Sequence, residues 1–242
     1  MLQGILLVLI LPSVPSVLDG DQEFLQIHYS HAASIYDSLL TSTPDSAGVL
    51  WRLAREYVCM ADVSPIERQA ELYRQAERYA QRCIDADSLR SEGHAWRAAA
   101  LGNIAMSEGG KTKVKLTHVI KRELDMAIAL DPENNTAYSI LGSFYLALGK
   151  VSWIERQLAA IFLGSLPEGG FQEAEQALKK AIALAPDVVR HHFELGRVYM
   201  EMDRRKEAIE EFHVAISLPV QLGVDQRTQE SARRLIEEIR NE

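Results

Sequence analysis

Apolar residues recur along most of this 242-residue chain at steps of three and four, with small residues set among them. That step is the turn of an α-helix with one buried face. Residues 23–41 read as a leading amphipathic helix, with Leu25, Ile35 and Leu39 on one side. Residues 49–61 and 66–86 read as a helical hairpin. Its second helix opens on a start signal: Ser64 as N-cap, Pro65 at the first helical position, Glu67 at the third. Residues 225–240 read as a terminal helix with Leu235 and Ile239 inward and charges outward. The expectation is an all-α protein of about ten helices with no sheet.

The pattern also repeats at longer range. Leu141-Gly142 and Leu195-Gly196 each precede a tyrosine, Tyr145 and Tyr199, by the same three residues from the glycine. Three later segments match one another: Leu124, Ala127, Leu130, Pro132; then Leu178, Ala181, Leu184, Pro186; then Phe212, Ala215, Leu218, Pro219. A weaker copy runs from Ala80 through Cys83 to Ala86. Small residues stand where two helices approach closely, and large ones surround them on the same face. This is similar to the tetratricopeptide repeat, a helix–turn–helix unit of about 34 residues. In the last copy Leu195, Gly196, Tyr199, Ala208, Phe212 and Ala215 fill the signature positions in order.

Gly142 and Gly196 lie 54 residues apart, so an insert is placed near 150–169. Such inserts cost little loop entropy. The expected organisation is a single domain, 22–242, forming a tetratricopeptide-repeat-like α-α superhelix. It has the leading helix, repeats at about 47–88, 92–132, 135–186 with the insert, and 189–219, then the terminal helix. A solenoid needs such ends to cover its outer core faces. Trp153 in the insert is expected to anchor it in the core.

The order of local features is more specific. Trp51 to Arg55, then His94 to Trp96, Leu124 with Ala127, Leu141-Gly142, Val151 to Arg156 around Trp153, Leu163 to Pro167, and Leu218-Pro219 followed by Asp225, Glu230 and Ala232 together resemble the regulator of microtubule dynamics family over roughly residues 48–240. The resemblance implies an α-solenoid adaptor without catalytic residues. Some eukaryotic members associate with microtubules, or tether organelle membranes and carry lipid; a short chain with a signal-like start looks like a bacterial-type relative. The resemblance also implies that first helices line a concave groove with their second, fifth, ninth and twelfth residues. Counting from Ala54, Ala100, Gly142 and Gly196 as eighth residues puts Trp51, Arg55, His94, Arg97, Ser139, Ser143, Arg190, Phe193 and Arg197 in that groove. Arginine forks suit carboxylates and phosphates. The expected function is a non-catalytic scaffold holding a protein or peptide, an acidic one by this chemistry. The alternative is a carrier of lipid or another anionic amphiphile, with the insert as wall or lid. A third reading has these arginines pairing internally with the many carboxylates.

Composition narrows the choice. Apolar residues make up 47% and charged ones 25%, ordinary values for a globular protein. A formal net charge of −8 argues against a nucleic-acid binder working by bulk positive charge. Residues 4–11 are apolar, and no charged side chain precedes Asp19. This stretch is too short to span a bilayer and fits an export signal, residues 1–16, or an uncleaved membrane anchor. The expected location is therefore periplasmic or envelope-associated if the source is bacterial. Cys59 falls near the end of the hairpin's first helix, close to the turn, and Cys83 near the far end of its second, too far apart for a disulfide. No metal site or cofactor is expected: His28 and His31 share a helical face but lack an evident third ligand. Gly109 to Thr112 lacks the preceding strand and first glycine of a phosphate-binding loop. The acidic pairs Glu210-Glu211 and Glu237-Glu238 read as solvated.

Overall fold

A computed structural model describes residues 15–108 and 110–241. Among the described residues there are twelve helices and no strand. They are α1 Val17–Leu25, α2 Tyr29–Leu40, α3 Ala47–Val63, α4 Ile66–Ala86, α5 Ser91–Ser107, α6 Gly110–Leu130, α7 Asn135–Gly149, α8 Trp153–Phe162, α9 Phe171–Leu184, α10 Val189–Glu201, α11 Arg205–Ser217 and α12 Asp225–Asn241. The signal or anchor reading falls, apart from Pro15 and Ser16, outside the described residues. No described helix is long and apolar enough to cross a membrane.

Antiparallel pairs α3–α4, α5–α6, α7–α9 and α10–α11 stack side by side, and α12 closes the far end. The contacts that hold each pair are the ones the small residues allow. A side chain at Gly196 would meet the Phe212 ring at 2.6 Å, and one at Gly142 would collide with Leu178. Phe212 and Leu178 are fully buried. The two glycines are thus equivalent in successive pairs.

The same device appears where the sequence reading has one helix over 23–41. The chain turns there, at Ile27 with φ 64°, and makes two helices. Gly20 faces Tyr36, sixteen residues on, the same interval as Gly196 to Phe212. Asp203 turns α10 into α11 with φ 56° at the position matching Ile27. Ala32 and Ala208 are both fully buried at one further matching place. Residues 17–40 are therefore a fifth helix pair, and Leu25, expected inward, is exposed.

Pair lengths differ. α3 and α5 begin 44 residues apart, at 47 and 91, as do α4 and α6, at 66 and 110. α5–α6 is in register through Ala98, which shares a buried cluster with Leu124. That is two residues before Ala100, and the shift matters for the groove assignments. Cys59 and Cys83 are free and buried.

Candidate functional site

The first helices of the pairs carry the expected groove residues, and the structure separates these into three groups. The first lies between α1 and α3. Asp21 accepts from Arg52 Nε at 2.8 Å and from Arg55 Nη2 at 3.3 Å, and Tyr36 donates to it at 2.6 Å. The Arg55 guanidinium lies 3.5 Å from the Phe24 ring centroid and 5.2 Å from that of Trp51. It also reaches Glu56 at 3.1 Å. Glu56 is fully buried and its Oε2 has no partner, so burial pushes its carboxyl up to about 7. Arg55 is thus committed to the leading pair, with the Trp51 ring beside its guanidinium.

The second group is paired with carboxylates of the neighbouring helices. His94 and Arg97 both grip Glu123 on α6, at 2.6 and 2.8 Å, and Arg97 also holds Glu77 at 3.1 Å. Both side chains meet α6 within their own pair, and Arg97 also bridges to α4 of the preceding pair. His94 Nε2 donates to the Ser88 carbonyl at 3.0 Å. His192 does the same on α10, with Glu211 at 2.7 Å and the Pro186 carbonyl at 2.9 Å. With both ring nitrogens facing acceptors, the protonated form of each imidazole is favoured. Burial pulls these histidines down, but the carboxylate and carbonyl bonds outweigh it and both end above the usual value. Sequence reasoning missed this clamp, and placed Glu211 in solvent. Its signature is present: a histidine four residues before Ala98 or Gly196, and a glutamate immediately before Leu124 or Phe212.

The third group lies on α7 and α10. Ser139 is buried, 3.1 Å from His191 Nδ1, while Asn135 Oδ1 takes His191 Nε2 at 3.1 Å. Burial beside the His192 and Arg190 charges pushes His191 down to about 4, so it is neutral. Ser143 donates to the Ser139 carbonyl. The Arg197 guanidinium lies 5.9 Å from the half-buried Phe193 ring and pairs with Glu194 at 3.0 Å. Arg190 reaches across to Asp62 at the end of α3, at 3.7 Å.

That last contact belongs to a seam. Arg227 of α12 donates to the Asp62 carbonyl, and Tyr29 Oη accepts from Gly223 N at 2.8 Å. A side chain at Gly223 would press on Ile27, Val63 and Tyr29. The superhelix therefore curls until its first and last elements meet. Two surface depressions accompany the fold, of ≈ 450 Å³ beside His118, Arg122 and Pro167, and of ≈ 530 Å³ beside His28, His31, Met60 and Arg68. His28 and His31 both bond Glu23, at 2.8 and 3.1 Å, and no group of three or more His, Cys, Asp or Glu suited to a metal occurs among the described residues.

α8 stands at the edge where α7 ends and α6 begins. Arg156 donates to the carbonyls of Leu148 at 2.6 Å and Gly169 at 3.2 Å, and Ala159 is buried. Arg156 and Ala159 take the inward face, so Trp153, expected as a core anchor, is turned outward and is 74% exposed.

The family model described as Regulator of microtubule dynamics protein 1-3 matches residues 18–240. Regulator of microtubule dynamics protein 2 of Homo sapiens is 27% identical over 198 residues, covering 81% of this chain and 48% of that protein. Regulator of microtubule dynamics protein 1 of Mus musculus is 27% identical over 191 residues, covering 78% of this chain and 63% of that protein. The chain spans about half the length of the first of these relatives. A thermophilic TPR protein of Thermus thermophilus has a similar fold, with a TM-score of 0.66 at 18% identity, over 92% of this chain and 100% of that one.

Proposed function

The chain belongs to the regulator of microtubule dynamics protein 1-3 family, and from that premise we propose that it is a non-catalytic helical-repeat scaffold that holds an acidic peptide segment of a partner against the inner face of α10. One observation carries the reading. All four arginines pair with carboxylates of the chain, but the side chains of Arg190 and Arg197, beside Asp62 and Glu194, keep 42% and 38% exposure on either side of Phe193, against 14% and 19% for Arg55 and Arg97. Two guanidinium forks flanking an aromatic ring suit a carboxylate-bearing chain with an apolar residue between its charges. The small residues that line the neighbouring first helices leave room for the rest of such a chain: a side chain at Gly102 would meet nothing within 4 Å.

The test is fluorescence anisotropy with labelled peptides in which Glu or Asp brackets an aromatic residue. Arg190→Glu with Arg197→Glu is expected to weaken capture at least tenfold. Equal binding by wild type and the double variant overturns the reading. The relatives' names record an action on microtubules; a pelleting assay with polymerised tubulin tests whether that action extends to this chain.

A further inference from the structure

The outward face of α8 is built the wrong way round for a helix in water. At 100° per residue, Trp153, Ile161, Ile154, Leu158 and Phe162 fan across about half of its circumference, interrupted only by Gln157. Trp153, Ile161 and Phe162 are each at least 70% exposed. The inward half has Arg156 and Ala159. The face is convex, with an aromatic ring at each end of the helix. A protein groove would need to wrap such a ridge, whereas acyl chains and headgroups part around it.

The flank of this ridge is basic. Leu163, the first residue after α8, lies against the opening of α6: a side chain at Gly110 would touch its Cδ1 at 3.4 Å. His118 of α6 donates to the Ser165 carbonyl at 2.6 Å. From Gly110 to Arg122 the chain has Lys111, Lys113, Lys115, Lys121 and Arg122 and no carboxylate. Lys111, Lys113 and Lys115 are exposed and pair with no carboxylate among the described residues. In a protein of net charge −8, the basic segment and the apolar ridge thus share one edge. We propose that this edge is a membrane-docking surface: α8 lies in the interface of an anionic bilayer while the three lysines of α6 meet its lipid phosphates and carboxylates.

The experiment uses the full chain and sedimentation with vesicles of phosphatidylcholine alone or with about one third phosphatidylserine. Wild type is expected to bind the anionic vesicles and to lose binding as salt rises. Trp153→Ser with Ile161→Ser and Phe162→Ser should lower the partition coefficient at least tenfold while thermal unfolding is unchanged. Lys111→Gln with Lys113→Gln and Lys115→Gln should abolish the preference for phosphatidylserine. Brominated acyl chains should quench a part of the tryptophan emission that is missing in Trp153→Phe. Residues 1–16 are common to every variant, so any affinity of that apolar stretch cancels in the comparison. Equal binding by wild type and the α8 variant overturns the proposal. So does indifference to phosphatidylserine, and so does a dimer that forms in solution and dissociates in the α8 variant, since a second copy would then cover the face.

Discussion

α12 and α8 are both amphipathic helices with well-made N-termini, and they point their apolar sides in opposite directions. In α12, Asp225 accepts from the backbone of Gln221 and Leu222, and Ala232, Ile236 and Ile239 are buried against the last pair. In α8, Ser152 and Glu155 form a capping box, and Trp153, Ile161 and Phe162 face outward. A helical pattern therefore states that an apolar face exists; it does not state what covers it. The inward groups decide. α12 offers a neat apolar row to a pair that lacks a neighbour, while α8 offers Arg156, whose bonds to carbonyls at the ends of α7 and the following connector fix the helix with its apolar side out.

The largest effect expected from this contrast is on α12. Ile236→Ala should cost about 2–5 kcal/mol, because the end of the stack cannot collapse around the missing atoms. Chemical unfolding followed by far-ultraviolet circular dichroism measures it. A cost as small as that of a surface change would mean that α12 is not a true cap.

Glu56 sharpens the comparison from the other side, since it is a charge placed inside. Its folded pKa of about 7 stands above the ordinary value of 4.5. The folded state therefore binds this proton more tightly, and the contribution of Glu56 to stability is greatest below about pH 4.5 and is lost as pH rises through 7. The ionised form costs on the order of 3 kcal/mol. His94 and His192, both raised, slope the same way: their contribution is complete below the unfolded histidine value and is lost as pH passes the folded one. His191, pushed down to about 4, slopes the other way over the same range, so the readout is the comparison of variants: Glu56→Gln should lose less melting temperature between pH 6 and pH 8.5 than wild type does. An equal slope in the variant would mean that Glu56 is already solvated.

How much of this was legible in the residues depends on the length of the signal. Gly142, Gly196, Leu178 and Phe212 were readable because each sits in a stretch matching another stretch, and the same small-against-large contact recurs in space. The leading pair was overlooked because Gly20 lies close to an apolar N-terminus that draws the reading toward a signal, and because Ile27, a β-branched residue, gives no hint of a turn with positive φ. The register of α5 was open for a different reason. Ala98 and Ala100 are both small, and choosing the latter rotated His94 and Arg97 by 200° about the axis of α5. Trp153 was expected in the core, whereas the position of Arg156 fixes the inward side.

A smaller effect separates glycines that meet a neighbour from those that do not. Gly196→Ala should cost about 1–3 kcal/mol, as its methyl group would push into Phe212. Gly102→Ala, with open space beyond it, should gain up to about 1 kcal/mol from helix propensity. Thermal unfolding of the two variants tests the repeat register directly: if Gly102→Ala is the damaging one, the first helices are rotated from the placement described.

The smallest stability effect is expected where the largest apolar side chains are changed. Trp153→Ser, Ile161→Ser and Phe162→Ser together delete more apolar surface than Ile236→Ala, yet unfolding should shift by no more than about 0.5 kcal/mol per site. The reason is that these side chains are already in water, so their removal takes nothing from the folded core. A strong loss of stability would show that α8 folds inward in solution and that its apolar side belongs to the core as that of α12 does. An unchanged melt leaves about half of a helix with no role in holding the fold together, which is the condition for that face to serve something outside the chain.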